Sequence, residues 1–367
     1  MLIERIEAIP IEVPLVKPLK MAVATVERRT CIVVRLTTDD GITGLGSSVV
    51  ARYFTGESLA SAVDLISKPY TEALVGRRVG DLAAHRALMR KISVGNAGAR
   101  AAVEMALHDA VAKAAGVPLY QWYGGRTRES VPTIWHVSGG TAESKAENAA
   151  EAVADGYELI KLKVGRKVDD DIAATFAVRE AIGPEVMLLP DANQGWTVAD
   201  ALRYVRAIEE TKPGFVEQPV HRDDLMGMAT LAKASPVPIA GDEGVFNAAD
   251  LRTYLAVGAC GAVVTKLMKS AGPIGMQQIL AVAQAAGIGV HIAGMAGQTS
   301  ISAAHGAHLA MAAEDLHFGG GISPQYLADD VCTERFLPDK GRLVPSAEPG
   351  AGVTIDEDKL THYRVDK

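Results

Sequence analysis

Hydrophobic positions fall into eight short runs between about residue 131 and residue 321, and longer segments with helical periodicity separate them. The runs are β-branched and almost continuously apolar, as expected for parallel strands that are buried on both faces. They are residues 131–137, 157–164, 186–193, 214–219, 237–243, 261–268, 288–295 and 315–321. Their spacing of roughly 25 residues leaves room for one helix after each strand.

Eight such units predict an α/β fold, a modified TIM (β/α)₈-type barrel. A doubly wound open sheet is the main alternative, but it rarely needs eight evenly spaced strands. The first 130 residues differ, because they combine strand-like runs, an Asp40-Gly41 hairpin signal and a long Ala-rich helical segment at 97–116. We therefore predict an α+β capping domain over 1–130, the barrel over 131–321 and a C-terminal tail over 322–367 that returns to the cap.

Composition narrows the functional classes without naming one. The 367 residues include 37 basic and 44 acidic side chains, a net charge of -7, which disfavours nucleic acid because phosphate binding needs clustered positive charge. No apolar run approaches a membrane span, and Glu4 and Glu7 stand where a signal peptide has positive charge. Three distant cysteines without CxxC spacing indicate reduced thiols. These features predict a cytoplasmic globular protein without a membrane partner.

Three carboxylates occur at the ends of consecutive predicted strands: Asp191 ends the third, Glu217 the fourth and Asp242 the fifth. The carboxyl ends of the strands form the active-site face of such a barrel. Three carboxylates in one small volume repel one another unless a cation lies between them, and oxygen-only ligands select a hard ion. A single acid at a strand end is more often a helix cap. Three in register predict a Mg²⁺ site, with Mn²⁺ as the alternative ion.

Lysines flank this predicted metal site. Lys161 and Lys163 are two residues apart on the second strand, so both point towards the barrel centre, and Lys266 ends the sixth strand on the far side. A buried lysine pair is costly unless a carboxylate compensates it, and a salt bridge at the barrel floor is the structural alternative. A divalent ion that holds a substrate carboxylate stabilises the enolate formed when the α-proton leaves. We predict that Lys161 lowers the pKa of the base Lys163, and that Lys266 handles a proton on the opposite face.

Five motifs resemble those of the enolase superfamily and, within it, of the muconate lactonizing enzyme subgroup. They are KLK at 161–163, DANQGW at 191–196, EQP at 217–219, GDE at 241–243 and TKLMKSAG at 265–272. The resemblance covers nearly the whole chain, since GITGLG and residues 99–125 resemble the family's capping domain. It implies Mg²⁺ on the three carboxylates, an acid/base pair of lysines and supporting positions for Asn193 and Glu243. It also implies a homo-oligomer, either an octamer or a dimer.

Departures from the family's motifs leave the substrate open. The eighth strand ends GGGISPQYL (319–327), with Gly320 or Gly321 where muconate cycloisomerases have an acid. The Asp-x-Asp element by which dipeptide epimerases hold a substrate's amino group is missing. Gln298 stands near a glutamate that is common in relatives, and Ser47 replaces an acid of the cap.

Four residues are candidates for substrate contact on weaker grounds. Trp135 and His136 end the first strand, Gln298 follows the seventh, and Tyr53 lies in a cap segment (49–58) that corresponds to a loop closing over the site. Core packing explains Trp135 equally well, a hydrogen-bonded core position explains His136, and docking of the loop explains Tyr53.

Together these residues predict a Mg²⁺-dependent isomerase that acts on a small carboxylate. Lysines on opposite faces suit 1,1-proton transfer, and hence racemisation or epimerisation of an amino-acid derivative. Muconate-type cycloisomerisation uses the same enolate but protonates it once. A lyase that expels a β-hydroxyl, as in hydroxyproline dehydration, is a further hypothesis. A barrel that only binds its ligand is disfavoured, because the three carboxylates and both flanking lysines are present.

Overall fold

An antiparallel sheet begins the chain. In the computed structural model, which describes residues 1–20 and 25–366, β1 (Ile3–Lys20), β2 (Thr25–Thr38) and β3 (Thr43–Val49) lie side by side in chain order. The predicted Asp40-Gly41 turn joins β2 to β3, and Gly41 has the positive φ, 85°, that such a turn requires. The first part of the chain is therefore a meander with one face available for helices.

Several helices follow the sheet along the chain. They are α1 (Arg52–Thr55), α2 (Leu59–Leu65), a π-helical turn (Ile66–Tyr70), α3 (Thr71–Leu74), α4 (Leu82–Ile92), α5 (Ala97–Ala114) and α6 (Leu119–Trp122). Among them, α2 and α5 pack against the sheet. The longest, α5, packs against β3 so closely that a Cβ on Gly46 would lie 1.9 Å from the carbonyl oxygen of Ala102. The alanine-rich sequence of α5 permits this approach, so the helix packs directly on the sheet.

Eight parallel strands form the second part, and each pairs with the next along the chain. They are β5 (Ile134–Val137), β6 (Leu159–Lys163), β7 (Met187–Asp191), β8 (Val216–Glu217), β9 (Ile239–Gly241), β10 (Ala262–Lys266), β11 (Gly289–Ala293) and β12 (Gly320–Gly321). A parallel bridge between Thr133 and Gly320 brings the last strand beside the first, so the sheet is a nearly closed barrel. Each predicted run contains one of these strands, which confirms the predicted fold class.

Seven α-helices connect these strands over residues 134–321, all of which the structure describes. They are α7 (Ala142–Ala154), α8 (Val168–Ile182), α9 (Val198–Ala207), α10 (Leu225–Ala234), α11 (Ala248–Ala256), α12 (Pro273–Ala286) and α13 (Ser300–Ala312), with a 3₁₀ turn (Glu209–Thr211) after α9. After β12 the chain forms a 3₁₀ turn (Pro324–Tyr326) in place of an eighth barrel helix. The modification of the barrel is therefore the replacement of its final helix.

The C-terminal segment contacts both parts. The short strand β4 (Val131–Pro132), which precedes the barrel, pairs with β13 (Arg342–Leu343). The last helix, α14 (Glu357–Tyr363), leads back to β1, where the Val365 amide donates to the Pro10 carbonyl over 3.1 Å. The domain limits given above stay predictions. Among the described residues, none of the helices has the length and apolar character needed to span a bilayer.

Candidate active site

The inward-facing residues change from apolar to charged along the barrel strands. On β6, Leu159 belongs to an apolar cluster inside the barrel, and Lys161 and Lys163 follow at two-residue intervals on the same face. On β10, Val264 belongs to the same cluster and Lys266 follows it. The strand period alone therefore gives the barrel an apolar floor and a charged upper layer at the carboxyl ends of its strands.

Asp191 and Glu217 bind the two lysines of β6. Oδ2 of Asp191 accepts from Lys163 Nζ at 2.6 Å and lies 2.9 Å from Lys161 Nζ, which also donates to both oxygens of Glu217 at 2.7 Å. Burial opposes ionisation of Asp191, but the two ammonium groups outweigh it and hold its pKa below its usual range. Burial, together with the charge of Asp191, raises the pKa of Glu217 to about 8.

Lys161 keeps its charge in this arrangement. Burial by itself lowers the pKa of Lys161, but the carboxylates of Asp191, Glu217 and Asp242 together raise it above its ordinary value. Its ammonium group lies between Asp191 and Glu217, two of the three carboxylates that the sequence predicts as metal ligands. Lys161 thus fixes a positive charge beside Lys163.

Asp242 binds two further lysines on the other side of the barrel. Oδ2 accepts from Lys266, and Oδ1 accepts from Lys269 Nζ at 2.6 Å. Lys269 also donates to the carbonyl oxygens of Asp242 and Val264, both at 2.6 Å. Its side chain is fully buried, and this burial lowers the pKa of Lys269 to about 8. Burial opposes ionisation of Asp242 as well, but Lys266 and Lys269 keep its pKa below the ordinary value.

Lys269 was not among the residues predicted from the sequence. The signal was available, because it is the second lysine of the TKLMKSAG motif and directly follows the apolar pair Leu267-Met268. A buried lysine needs a carboxylate or carbonyl partner, and Asp242 supplies both.

Asn193 and Glu243 lie behind Lys163. Oδ1 of Asn193 accepts from Lys163 Nζ at 2.8 Å, and its Nδ2 donates to Glu243 Oε1 at 3.1 Å. Asn193 has a φ of 42°, in the left-handed region that asparagine tolerates better than most residues. Oε2 of Glu243 is buried without a partner, and burial raises the pKa of this carboxyl to about 7. The structure thus places Asn193 beside the predicted base and links Glu243 to it through Asn193.

Gln218, in the EQP motif, holds the loop that carries Asp242. Its Oε1 accepts from the backbone amides of Asp242 at 3.0 Å and Gly244 at 3.2 Å, and its own φ is 32°. Sequence reasoning missed this role, because a buried glutamine at a strand end has no distinctive periodicity.

Except for Lys269, these charged groups line one cavity beneath the cap. Leu19, Arg29, Tyr53 and Phe54 contribute the cap side of the cavity. The ring centroid of Phe54 lies 4.8 Å from Lys266 Nζ, a cation–π contact that also covers the lysine.

The candidate substrate contacts occupy different places. His136 lines the cavity, and its backbone amide donates to the Tyr326 hydroxyl at 2.7 Å; burial lowers the pKa of its ring well below the ordinary value. Trp135 lies on the opposite face of β5, where it packs against Tyr157 and donates to Asn148 Oδ1 at 3.1 Å. The side-chain alternation of a strand explains this separation.

Gln298 lines a smaller neighbouring cavity together with Lys266. A Cβ on Gly294 would lie 1.8 Å from Gln298 Oε1, so the amide packs directly on the backbone after β11. Tyr53 lines the main cavity, as described above. Contacts of these residues with a substrate stay predictions.

Asp191, Glu217 and Asp242 offer the oxygen ligands that a hard divalent cation binds, although lysine ammonium groups lie between them in this structure. Within the described residues, no group of three or more His, Cys, Asp or Glu side chains is arranged as a ready-made metal site. The cause is direct, since Lys161 bridges Asp191 and Glu217 while Lys266 and Lys269 bind Asp242. Three buried carboxylates at neighbouring strand ends are nevertheless the oxygen donors that Mg²⁺ selects.

Two family models match the chain. The mandelate racemase / muconate lactonizing enzyme N-terminal domain matches residues 5–124, and the enolase C-terminal domain-like model matches residues 144–359. The L-Ala-D/L-Glu epimerase of Bacillus subtilis is 34% identical over 359 residues, which are 96% of this chain and 97% of that protein.

Solved structures of proteins from the same family are similar to this chain. A Pseudomonas fluorescens muconate lactonizing enzyme complexed with muconolactone has a TM-score of 0.95 and 30% identity, with 99% of each chain covered. A dipeptide epimerase from Cytophaga hutchinsonii, complexed with Mg and D-Ala-L-Val, has a TM-score of 0.93 and 27% identity over 99% of this chain and 98% of that one. These relatives are isomerases, which confirms the predicted enzyme class and does not favour a lyase. The chain belongs to the mandelate racemase/muconate lactonizing enzyme family of the enolase superfamily.

Proposed function

We propose that this enzyme racemises or epimerises an amino-acid derivative by 1,1-proton transfer. The placement of Lys163 and Lys266 carries the proposal. They lie on β6 and β10, which are four strands apart in an eight-stranded barrel, and both line the same cavity. Two bases that approach one carbon from opposite sides are what inversion at that carbon requires.

Asp191, Glu217 and Asp242 would hold Mg²⁺ between the two lysines. When bound, the ion supplies a Lewis acid that stabilises negative charge on the substrate carboxylate while the α-proton is removed. The three side chains are buried, with at most 1% of each exposed, so charge in this place is poorly screened by water. The Mg-complexed dipeptide epimerase described above supports the choice of ion.

The chain's own groups set the direction of each proton transfer. Asp191 and Asn193 orient Lys163 Nζ, while Asp242 orients Lys266 Nζ. In one direction a neutral Lys163 takes the α-proton and an ammonium on Lys266 returns one to the opposite face. In the reverse direction the two roles exchange. Each turnover therefore leaves both lysines in exchanged protonation states, which solvent resets.

Isotope exchange tests this proposal. N-acetylated L- and D-amino acids are incubated with the enzyme in D₂O containing Mg²⁺, and deuterium at the α-carbon is followed by NMR. Lys163→Ala is expected to abolish exchange from one enantiomer, and Lys266→Ala exchange from the other. Lys233→Ala, at an exposed position of α10, is the matched control and should leave both rates unchanged. Equal loss of both exchanges in both variants, with metal affinity retained, would contradict the two-base assignment.

Cycloisomerisation of a muconate-type diacid is the second candidate, supported by the likeness to the muconate lactonizing enzyme complexed with muconolactone. That reaction needs one proton donor, so one of the two lysines would be dispensable. Incubation with cis,cis-muconate, followed by its ultraviolet absorbance, distinguishes the candidates. The predicted homo-oligomer, an octamer or dimer, and the predicted cytoplasmic location stay predictions.

A further inference from the structure

Arg29 is a buried arginine on the cap side of the active-site cavity. It lies on β2, and only 2% of the residue is exposed. Its described hydrogen bonds go to neutral oxygens, with Nη2 donating to the Ala296 carbonyl at 2.5 Å and Nη1 donating to the Tyr53 hydroxyl at 3.2 Å. Its Nε is buried without a partner. Nη1 and Nη2 each make one described hydrogen bond, so each keeps a second N–H for another acceptor.

This arginine differs from the other cations of the active site. Each of the four lysines contacts a carboxylate, whereas no described ion pair includes Arg29. Its neighbour on the strand, Arg28, is half exposed and pairs with Glu12 at 3.0 Å. A buried charge without a counter-ion costs free energy unless a ligand supplies one.

The formal charges of the site point to an anionic ligand. The lysines and carboxylates balance, four against four: Lys161, Lys163, Lys266 and Lys269 against Asp191, Glu217, Asp242 and Glu243. Arg29 therefore adds an unmatched positive charge before any metal is counted. A substrate with a single carboxylate at the metal would leave the guanidinium unneutralised.

The eighth strand offers no acid that could attract a cationic group instead. Gly321 ends β12, and a Cβ there would lie 2.6 Å from His291 Nε2 and 2.8 Å from the Cβ of Ala293. The residues around Arg29 on the cap side are neutral, and Leu19 and Phe54 are examples. The far end of the cavity is consequently positive and apolar.

We propose that Arg29, assisted by the Tyr53 hydroxyl, binds a second carboxylate of the substrate and selects for dianionic acids. The planar guanidinium suits a bidentate contact with a carboxylate, and Nη1 and Nη2 each keep one N–H beyond their described bonds. This selectivity rests on the function proposed above. The second carboxylate belongs either to an N-acyl group or to the amino-acid side chain, and the test separates these sources.

Two matched pairs of probes test selectivity. N-succinyl-L-alanine is compared with its succinamoyl amide, and N-acetyl-L-glutamate with N-acetyl-L-glutamine, by the kcat/KM of α-proton exchange. For the pair whose carboxylate reaches Arg29, the acid should exceed the amide by roughly 10- to 100-fold, and Arg29→Gln should remove that preference. Arg29→Lys should keep part of it. Arg28→Gln is the control and should preserve it. Equal losses on acid and amide in Arg29→Gln would assign Arg29 to the structure alone and overturn the proposal.

A binding measurement separates this proposal from the proposed function. Calorimetric titration of the same four probes into the Mg²⁺-loaded enzyme does not depend on turnover. If no probe exchanges deuterium but one acid binds more tightly than its amide in the wild type and not in Arg29→Gln, the subsite stands and the racemase assignment fails. If both acids bind no better than their amides, the subsite proposal is wrong even where exchange occurs.

Discussion

The two sides of the active site use pairs of lysines in different ways. On the β6 side, Lys161 and Lys163 both belong to the strand and share Asp191, and Lys161 is also bonded to Glu217. On the β10 side, only Lys266 belongs to the strand. Lys269 comes from the turn beyond it, and it is bonded to two backbone carbonyls as well as to Asp242. One side is thus a network of side chains, whereas the other is tied to the backbone.

This difference teaches which charges a metal ion can replace. The Lys161 ammonium lies between Asp191 and Glu217, two of the carboxylates that would hold Mg²⁺, so the ion would supply these carboxylates with a positive charge. The carbonyl bonds of Lys269 have no such substitute. We therefore expect the β6 side to respond to metal and the β10 side to respond to changes in packing.

On each side one aspartate pairs with two lysines, and its removal should lower the free energy of unfolding more than any other change. The decrease should be greater for Asp242, on the β10 side, than for Asp191. Asp242→Asn removes the carboxylate of two buried lysines, which is expected to cost about 3–5 kcal/mol of unfolding free energy. Asp191→Asn should cost less, because Lys161 keeps Glu217 and Lys163 keeps Asn193. Denaturant unfolding without metal measures both. Equal costs would remove the distinction between the two sides.

Replacement of Lys161 or Lys269 should show that the stability of the two sides responds differently to Mg²⁺. Lys161→Met and Lys269→Met are each expected to destabilise the metal-free protein by about 2–3 kcal/mol, through a carboxylate or carbonyl left without its donor. Saturating Mg²⁺ should restore Lys161→Met but not Lys269→Met. Thermal unfolding with and without the ion measures this, and the same recovery in both variants would refute the argument from the carbonyls.

A smaller effect is expected from Asn193→Ala, which removes the link between Lys163 and Glu243. Because Lys163 would then be poorly oriented, α-proton exchange from the enantiomer that Lys163 deprotonates should slow by about tenfold. Exchange through Lys266 should change little. The deuterium rates of the two enantiomers give the ratio directly, and a uniform decrease would indicate a general loss of structure.

The smallest effect should come from Phe54→Leu, which removes the ring beside Lys266 while keeping an apolar cover. Loss of the cation–π contact is expected to cost about 0.5–1 kcal/mol, a few-fold in the exchange that uses Lys266. A matching decrease in exchange through Lys163 would show that Phe54 acts on the whole cavity.

The sequence allowed prediction of those parts of the site that follow strand periodicity. Asp191, Glu217 and Lys266 end consecutive or opposed strands, and inward alternation brings their side chains together. The same alternation separates Trp135 from His136, since Ile134 belongs to the inner apolar cluster and residue 136 shares its face.

The residues that were missed lie where periodicity gives no information. Lys269 follows the end of a strand, in a turn where Ala271 has a φ of 57°. Gln218 is placed by its own left-handed backbone. Arg29 reaches Ala296 across 267 positions of sequence, a contact that depends on how the cap packs on the barrel. Local pattern does not encode such contacts, and only the folded chain brings them together.

Closure of the barrel by its last strand has a consequence for how the chain folds. The parallel bridge between Thr133 and Gly320 closes the ring, and residues 322–366 then run back to β4 and β1. During synthesis from the N-terminus, residues 1–130 and the first seven barrel strands, β5 to β11, leave the ribosome before the residues that close the ring. Until then β5 and β11 are unprotected strand edges, which makes late translation the period of greatest exposure to aggregation.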